Sequence, residues 1–258
     1  MASCVWCGAW AVIDFVVAVV GLVLGSLLNV IIIRLPREQR LLGWPRCIRT
    51  GQPLHWWQVL PVLGWVLQRG KAADGRPLPI IYPLVEIGSA IWLWRLYDLY
   101  GFGPLFPYLA FVGAVLIVTG VVDWLYRWIY TVVILAGALI AFVWGALVGA
   151  GWRELLFGGL IGGVGFLLLY LLALILFPSK SAPFGLGDVY LAIFIGAALG
   201  LRHLGPALIY GIFMAGLVAA GILIARRLGR TTPEYLPYGA YLCLGVLIYV
   251  ALGGYLSP

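Results

Sequence analysis

The chain has 258 residues, of which 64% are hydrophobic and only 10% charged, with a mean hydropathy of +1.09. That composition excludes a soluble globular domain and defines a polytopic membrane protein. The net charge of +7 follows the loops rather than a folded basic face, so nothing points to nucleic-acid binding.

A spanning helix needs about 20 apolar residues. Eight stretches qualify: 9–33, 79–98, 104–122, 128–149, 155–177, 186–201, 203–226 and 237–256. The expected fold is all-α, with about eight transmembrane helices and one long cytoplasmic loop. The first stretch is too long for a cleaved signal peptide and is followed by no small-residue cleavage site. It ends in a small face, Gly21, Gly25 and Ser26, with Asn29 one turn on, a pattern suited to close helix packing with Asn29 as interhelical glue.

The segment 34–78 follows as a separate region. It carries Pro36, Pro45, Pro53, Pro61 and Pro77, four tryptophans and eight basic residues, and a loop of that length argues for function. Within it, His55 to Leu67 reads as a short amphipathic helix on the membrane surface, where tryptophan is favoured. Residues 79–258 form the remaining seven-span core. Glu86 lies inside the second span, either as a buried structural partner or as a contact for a substrate's charged group. Asn29 and Arg34 leave the same two readings open.

Lysine and arginine set the orientation. Arg34, Arg37, Arg40, Arg46, Arg49, Arg69, Lys71, Arg76, Arg127, Lys180, Arg226, Arg227 and Arg230 fall on one side, thirteen of sixteen basic residues. Only Arg95, Arg153 and Arg202 fall on the other. The first side is therefore cytoplasmic and both termini lie outside. The same bias favours anionic lipid head groups. Glycine-rich runs such as Gly158-Gly159 and Gly162-Gly163 read as helix-packing surfaces, and the sixth span, entered through Gly185 and Gly187, as short and irregular or partly re-entrant. Cys4 and Cys7 form a Cys-x-x-Cys on the outer face, most simply incidental. A disulfide or dimer contact is the other reading. Two thiols do not complete a four-ligand zinc site, and His55 and His203 are too far apart in sequence to suggest one.

Two acids stand out among only nine. Asp123 follows the apolar run Ala110–Val122, and Asp188 closes Phe184-Gly185-Leu186-Gly187-Asp188. An ionisable group at membrane depth costs roughly 2.5–3.5 kcal/mol and is a functional hypothesis by default. The topology places both on the cytoplasmic side. Paired carboxylates support hydrolysis, one taking a proton from water while the other, protonated, polarises the carbonyl. The simpler readings are an Asp123–Arg127 pair one turn apart and a helix N-cap at Asp188. The glycines at 185 and 187 permit close backbone approach by a peptide.

Five ordered strings resemble the type IV prepilin peptidases, the GxGD-type aspartic proteases of bacterial inner membranes. They are Gly21 to Pro36, Tyr82-Pro83-Leu84-Val85-Glu86, Asp123, Gly185-Leu186-Gly187-Asp188-Val189, and Leu236-Pro237-Tyr238-Gly239-Ala240-Tyr241-Leu242. The resemblance implies catalytic Asp123 and Asp188 and an active-site loop at Gly185 and Gly187, while Asn29, Arg34 and Glu86 keep the two readings given above, structural partner or substrate contact. It implies prepilin or pseudopilin precursors as partners, cut just before their hydrophobic helix, and, in many members, N-methylation of the new N-terminus by S-adenosylmethionine. Many members also carry two Cys-x-x-Cys pairs in the cytoplasmic loop, taken to hold zinc. Here only Cys47 remains, Thr50 stands where its partner would be, and Lys71 to Asp74 holds no cysteine, so no zinc is expected. Ile129-Tyr130-Thr131 and Tyr190 also depart from the family pattern. Two other classes remain: a proton- or cation-coupled transporter using the intramembrane acids, against which no inverted repeat is visible, and a scaffold that binds precursors without cutting them.

Overall fold

The computed structural model describes residues 3–40, 43–46, 51–72, 74–176, 185–229 and 236–256. Cys47, Thr50, Lys180 and Arg230 lie outside these residues, as do the side chains of Cys4 and Cys7. The chain divides into two compact units, Met1–Phe106 and Pro107–Pro258. Among the described residues there is no strand beyond the isolated bridges Arg46 to Pro53 and Lys71 to Pro77, and the fold is all-α.

The first unit is a helical hairpin with a folded loop. Helices α1 (Ser3–Arg34) and α3 (Ile81–Tyr100) pack along their length. Glycine on α1 makes this approach close: a Cβ at Gly25 would lie 2.5 Å from the Glu86 Cα. The expected glue is in place, since Asn29 Nδ2 donates to the Tyr82 carbonyl at 3.0 Å. Between the two helices the 55–67 segment differs from the single amphipathic helix expected. It forms a 3-10 turn, Trp56–Val59, and a short helix α2, Leu63–Leu67. Pro61 cannot donate a backbone hydrogen bond. Val62 then adopts φ 57° and ψ −49°, and Leu63 N–H bonds the Pro61 carbonyl at 2.5 Å. This is the γ-turn geometry that is rare and strained, here at a β-branched residue.

The second unit holds α4 (Leu105–Tyr126), α5 (Thr131–Leu147), α6 (Trp152–Leu176), α7 (Leu186–Leu199), α8 (Leu201–Arg227) and α9 (Tyr238–Ala251). Leu116, Ile134, Leu155, Phe194, Ile195 and Leu242 are fully buried at its centre. The glycines at 158 and 196 set the α6–α7 distance: a Cβ on Gly196 would meet the Gly158 carbonyl at 2.1 Å. That is the packing role expected of this run. Outward, α6 exposes Leu160, Val164, Leu168 and Ile175, as lipid-facing helices do.

Each of the eight apolar stretches contains one helix, but their lengths differ. The span Val12–Arg37 and helices α4, α6 and α8 are long and apolar enough to cross a bilayer. By contrast α7 and α9 have 14 residues each, about 21 Å at 1.5 Å per residue, short of the ~30 Å hydrocarbon core. Helix α7 is regular throughout, and α9 ends early because Gly253, at φ 83°, diverts the chain into the 3-10 turn Gly254–Leu256. The Tyr249 hydroxyl donates to the Gly254 carbonyl there.

Candidate active site

The two aspartates lie in the second unit, where three helix ends meet. Asp123 is in the last turn of α4. The helix stops four residues later because Arg127 takes φ 56°, while its N–H still bonds the Asp123 carbonyl at 2.8 Å. The Asp123 carboxylate faces the start of α9: Oδ2 accepts the Ala240 N–H at 2.8 Å, and the Gly239 N–H is a second partner. Helix N-termini present free N–H groups and a positive dipole end, a natural seat for a carboxylate.

Asp188 sits in the first turn of α7. It is not the N-cap that a sequence-only reading offers. Gly185 occupies that place, and Asp188 Oδ2 reaches back to accept the Gly185 N–H at 3.1 Å. The two carboxylates are close enough for their charges to interact. Each is only 7% exposed, so both are withdrawn from bulk solvent.

Ile129 joins the two halves of the site. A Cβ at Gly187 would lie 2.8 Å from the Ile129 Cβ, and one at Gly239 would lie 3.0 Å from both the Ile129 Cδ1 and Asp123 Oδ2. Gly187 therefore gives up its side-chain space to Ile129, whereas a Cβ at Gly185 would have open room, its nearest neighbour being the Gly187 N at 3.8 Å. The residues that sequence reasoning left without a role are thus Ile129, Gly239, Ala240 and Tyr238, the last within electrostatic range of Asp188. The string around Gly239 is visible in the sequence, but nothing in it reveals that its backbone N–H groups hold the Asp123 carboxylate.

Asn29 and Glu86 bond each other in the first unit, and Arg34 lines the same cavity. Glu86 Oε1 accepts from Ser26 Oγ at 2.7 Å and from Asn29 Nδ2 at 3.4 Å, and Oε2 accepts the Val62 N–H at 2.7 Å. Arg34 donates to the carbonyls of Arg40, Gly43 and Trp44 at 3.1–3.2 Å, which fixes the start of the loop. Among the described residues no three His, Cys, Asp or Glu side chains gather as a metal site.

Fold and site together define a polytopic helical membrane protein with a buried carboxylate pair at helix termini. Residues 19–99 match the family model for the bacterial peptidase A24 N-terminal domain. The chain is 31% identical over 224 residues to a prepilin leader peptidase/N-methyltransferase of Myxococcus xanthus, covering 84% of this chain and 64% of that protein. It thus spans just under two thirds of that relative's length. A protein of the same name in Xanthomonas campestris is 26% identical over 264 residues, covering 87% of this chain and 86% of the relative. In Escherichia coli the type 4 prepilin-like proteins leader peptide-processing enzyme is 28% identical over 255 residues, with 90% and 91% covered. No solved structure gives a significant match. Over most of its length the chain is similar to the type IV prepilin leader peptidases, and residues 19–99 carry the match to the peptidase A24 N-terminal domain.

Proposed function

We propose that this protein is a membrane aspartic endopeptidase that removes the short basic leader of type IV prepilins or pseudopilins at the cytoplasmic face of the bacterial inner membrane. The observation that carries the reading is the pairing of Asp123 and Asp188, each buried, each held by backbone N–H groups at a helix start, and each within range of the other's charge. In the reaction, one carboxylate takes a proton from water as the water oxygen bonds to the scissile carbonyl carbon. The other, protonated, hydrogen-bonds the carbonyl oxygen. The C–N bond then breaks and the departing amine takes up a proton. The two groups titrate as a unit, so base and acid are not assigned separately. The distribution of basic residues supports an orientation with both termini outside and the three converging helix ends on the cytoplasmic side. There a substrate helix still held in lipid meets water at its leader. Asn29 and Glu86 serve as structural partners to each other in this reading.

The relatives' names also carry N-methyltransferase activity, and methyl transfer from S-adenosylmethionine to the new N-terminus is proposed as a second step. The first unit contains a cavity of about 460 Å³, but the one carboxylate lining it, Glu86, is already committed to three donors. The cavity therefore offers no uncommitted carboxylate for ribose hydroxyls. Zinc does not fit the loop either. Residues 34–78 contain one cysteine, Cys47, and one histidine, His55, fewer than the sulfur and nitrogen donors a structural zinc requires. Metal analysis of the purified protein is expected to find substoichiometric zinc, and a full equivalent would overturn this.

Incubation of purified protein with a model precursor tests the main proposal. Loss of the leader, with the product heavier by one methylene when the cofactor is supplied, is expected. Binding without cleavage would make the protein a scaffold, and neither binding nor cleavage would favour ion transport.

A further inference from the structure

We propose that the folded loop of the first unit is a binding site for an anionic phospholipid. The site has two parts, a cationic cavity for the phosphate and an apolar foot for the acyl region. It stands independently of the peptidase reading.

The Val62 N–H is bonded to Glu86 at 2.7 Å. Glu86 lies five residues into α3, about 8 Å along its axis. Its other partners on α1, Asn29 and Ser26, lie five and eight residues before Arg34, about 8 and 12 Å from that helix's end. The turn at Val62 is therefore tied, through Glu86, to side chains set back from the ends of both helices of the hairpin, an arrangement that suits a loop resting at the membrane interface. Helix α2 continues from that turn with Leu63, Val66 and Leu67 each more than half exposed, at 58%, 53% and 61%. Trp65, on its other side, lines the cavity. Three exposed cations, Arg69, Lys71 and Arg76, follow directly.

The cavity supplies the complementary charge. Arg34, Arg37 and Arg46 line it, and its lone carboxylate, Glu86, has both oxygens engaged by donors from α1 and the turn. Arg37 spends one nitrogen on the Ile33 carbonyl. Neither Arg37 nor Arg46 forms an ion pair with a carboxylate among the described residues. A cavity whose cations outnumber its one committed acid, with Trp65 of the largely exposed apolar helix α2 in its wall, matches a phosphate with acyl chains attached. Basic pockets between helices at the cytoplasmic face are where anionic head groups bind.

The test is native mass spectrometry of the delipidated full-length protein, titrated with phosphatidylglycerol, phosphatidylethanolamine of the same chains, and inorganic phosphate. Phosphatidylglycerol is expected to bind roughly tenfold or more tightly than phosphatidylethanolamine, given about 1 kcal/mol per basic residue at the surface. The double variant R37Q/R46Q is expected to lose most of that preference, and R37K/R46K to keep it. The triple variant L63Q/V66Q/L67Q is expected to weaken both lipids alike. Equal binding of the two lipids, or an unchanged preference in R37Q/R46Q, would overturn the site. Inorganic phosphate that binds and displaces phosphatidylglycerol, with no lipid preference of its own, would assign the cavity to free phosphate and overturn the lipid. If R37Q/R46Q fails to fold, as judged by its melting temperature, the lysine pair decides: a retained preference supports the site and a lost one overturns it.

Discussion

Glu86 in the first unit and Asp123 and Asp188 in the second are buried to nearly the same degree, at 9%, 7% and 7% exposure. Burial therefore cannot tell them apart, but their partners can. A carboxylate offers about four acceptor sites on two oxygens. Glu86 uses both oxygens on three donors drawn from α1 and the loop, so it ties three segments of chain together. Asp188 uses one oxygen on a single N–H of its own helix start, and Asp123 accepts backbone N–H groups at the start of α9 within range of the Arg127 charge. Among the described residues the aspartates thus retain acceptor capacity that Glu86 has given up. An acid with both oxygens tied to separate chain segments is suited to a structural role. An acid bonded on one oxygen, with a like charge nearby, is suited to proton transfer.

Several substitutions would break or sharpen this contrast. Asp123→Asn or Asp188→Asn should each lower cleavage by at least 10²–10⁴-fold, the usual worth of a general acid or base, while precursor still co-purifies with the variant. Gly187→Ala comes next. Its Cβ would collide with Ile129, so turnover should fall by about tenfold or more as Asp188 is displaced, and Ile129→Ala in the same chain should restore part of it. Such rescue distinguishes packing from a direct role for Gly187 in binding peptide. Glu86→Gln should leave cleavage per folded molecule unchanged but cost about 1–3 kcal/mol of stability, because the new NH₂ faces donors rather than acceptors. A lower melting temperature would register it. The smallest effect is expected from Val62→Gly. Relief of the strained γ-turn is worth on the order of 1–3 kcal/mol, largely offset by the greater entropy of an unfolded glycine, so a net gain of about 1 kcal/mol or less is expected in thermal unfolding.

Hydrophobic runs made the helices legible, because a chain of this composition has few other ways to satisfy its backbone in lipid. The pairing of Asp123 with Asp188 was legible too, from alternation of spans and the placement of arginines. Helix ends were less so. The break at Pro61 and Val62 turns on a side chain 24 residues away, since Glu86 accepts the Val62 N–H, and no local window contains that partner. The early end of α9 depends in the same way on which of two adjacent glycines, Gly253 or Gly254, takes the positive φ. At the active site the missed groups are backbone N–H donors at Ala240 and Gly239, 117 and 116 positions from Asp123. Every residue but proline carries such a donor, so residue type cannot single these two out.

The most direct measurement sets the three acids side by side. Purified wild type, Asp123→Asn, Asp188→Asn and Glu86→Gln would be given the same model precursor in detergent, with product mass and bound precursor read for each. The prediction is cleavage by wild type and by folded Glu86→Gln, and bound but uncut precursor with either aspartate variant. Cleavage by Asp123→Asn or Asp188→Asn, or loss of cleavage in Glu86→Gln that remains fully folded, would contradict the division between structural and catalytic acids.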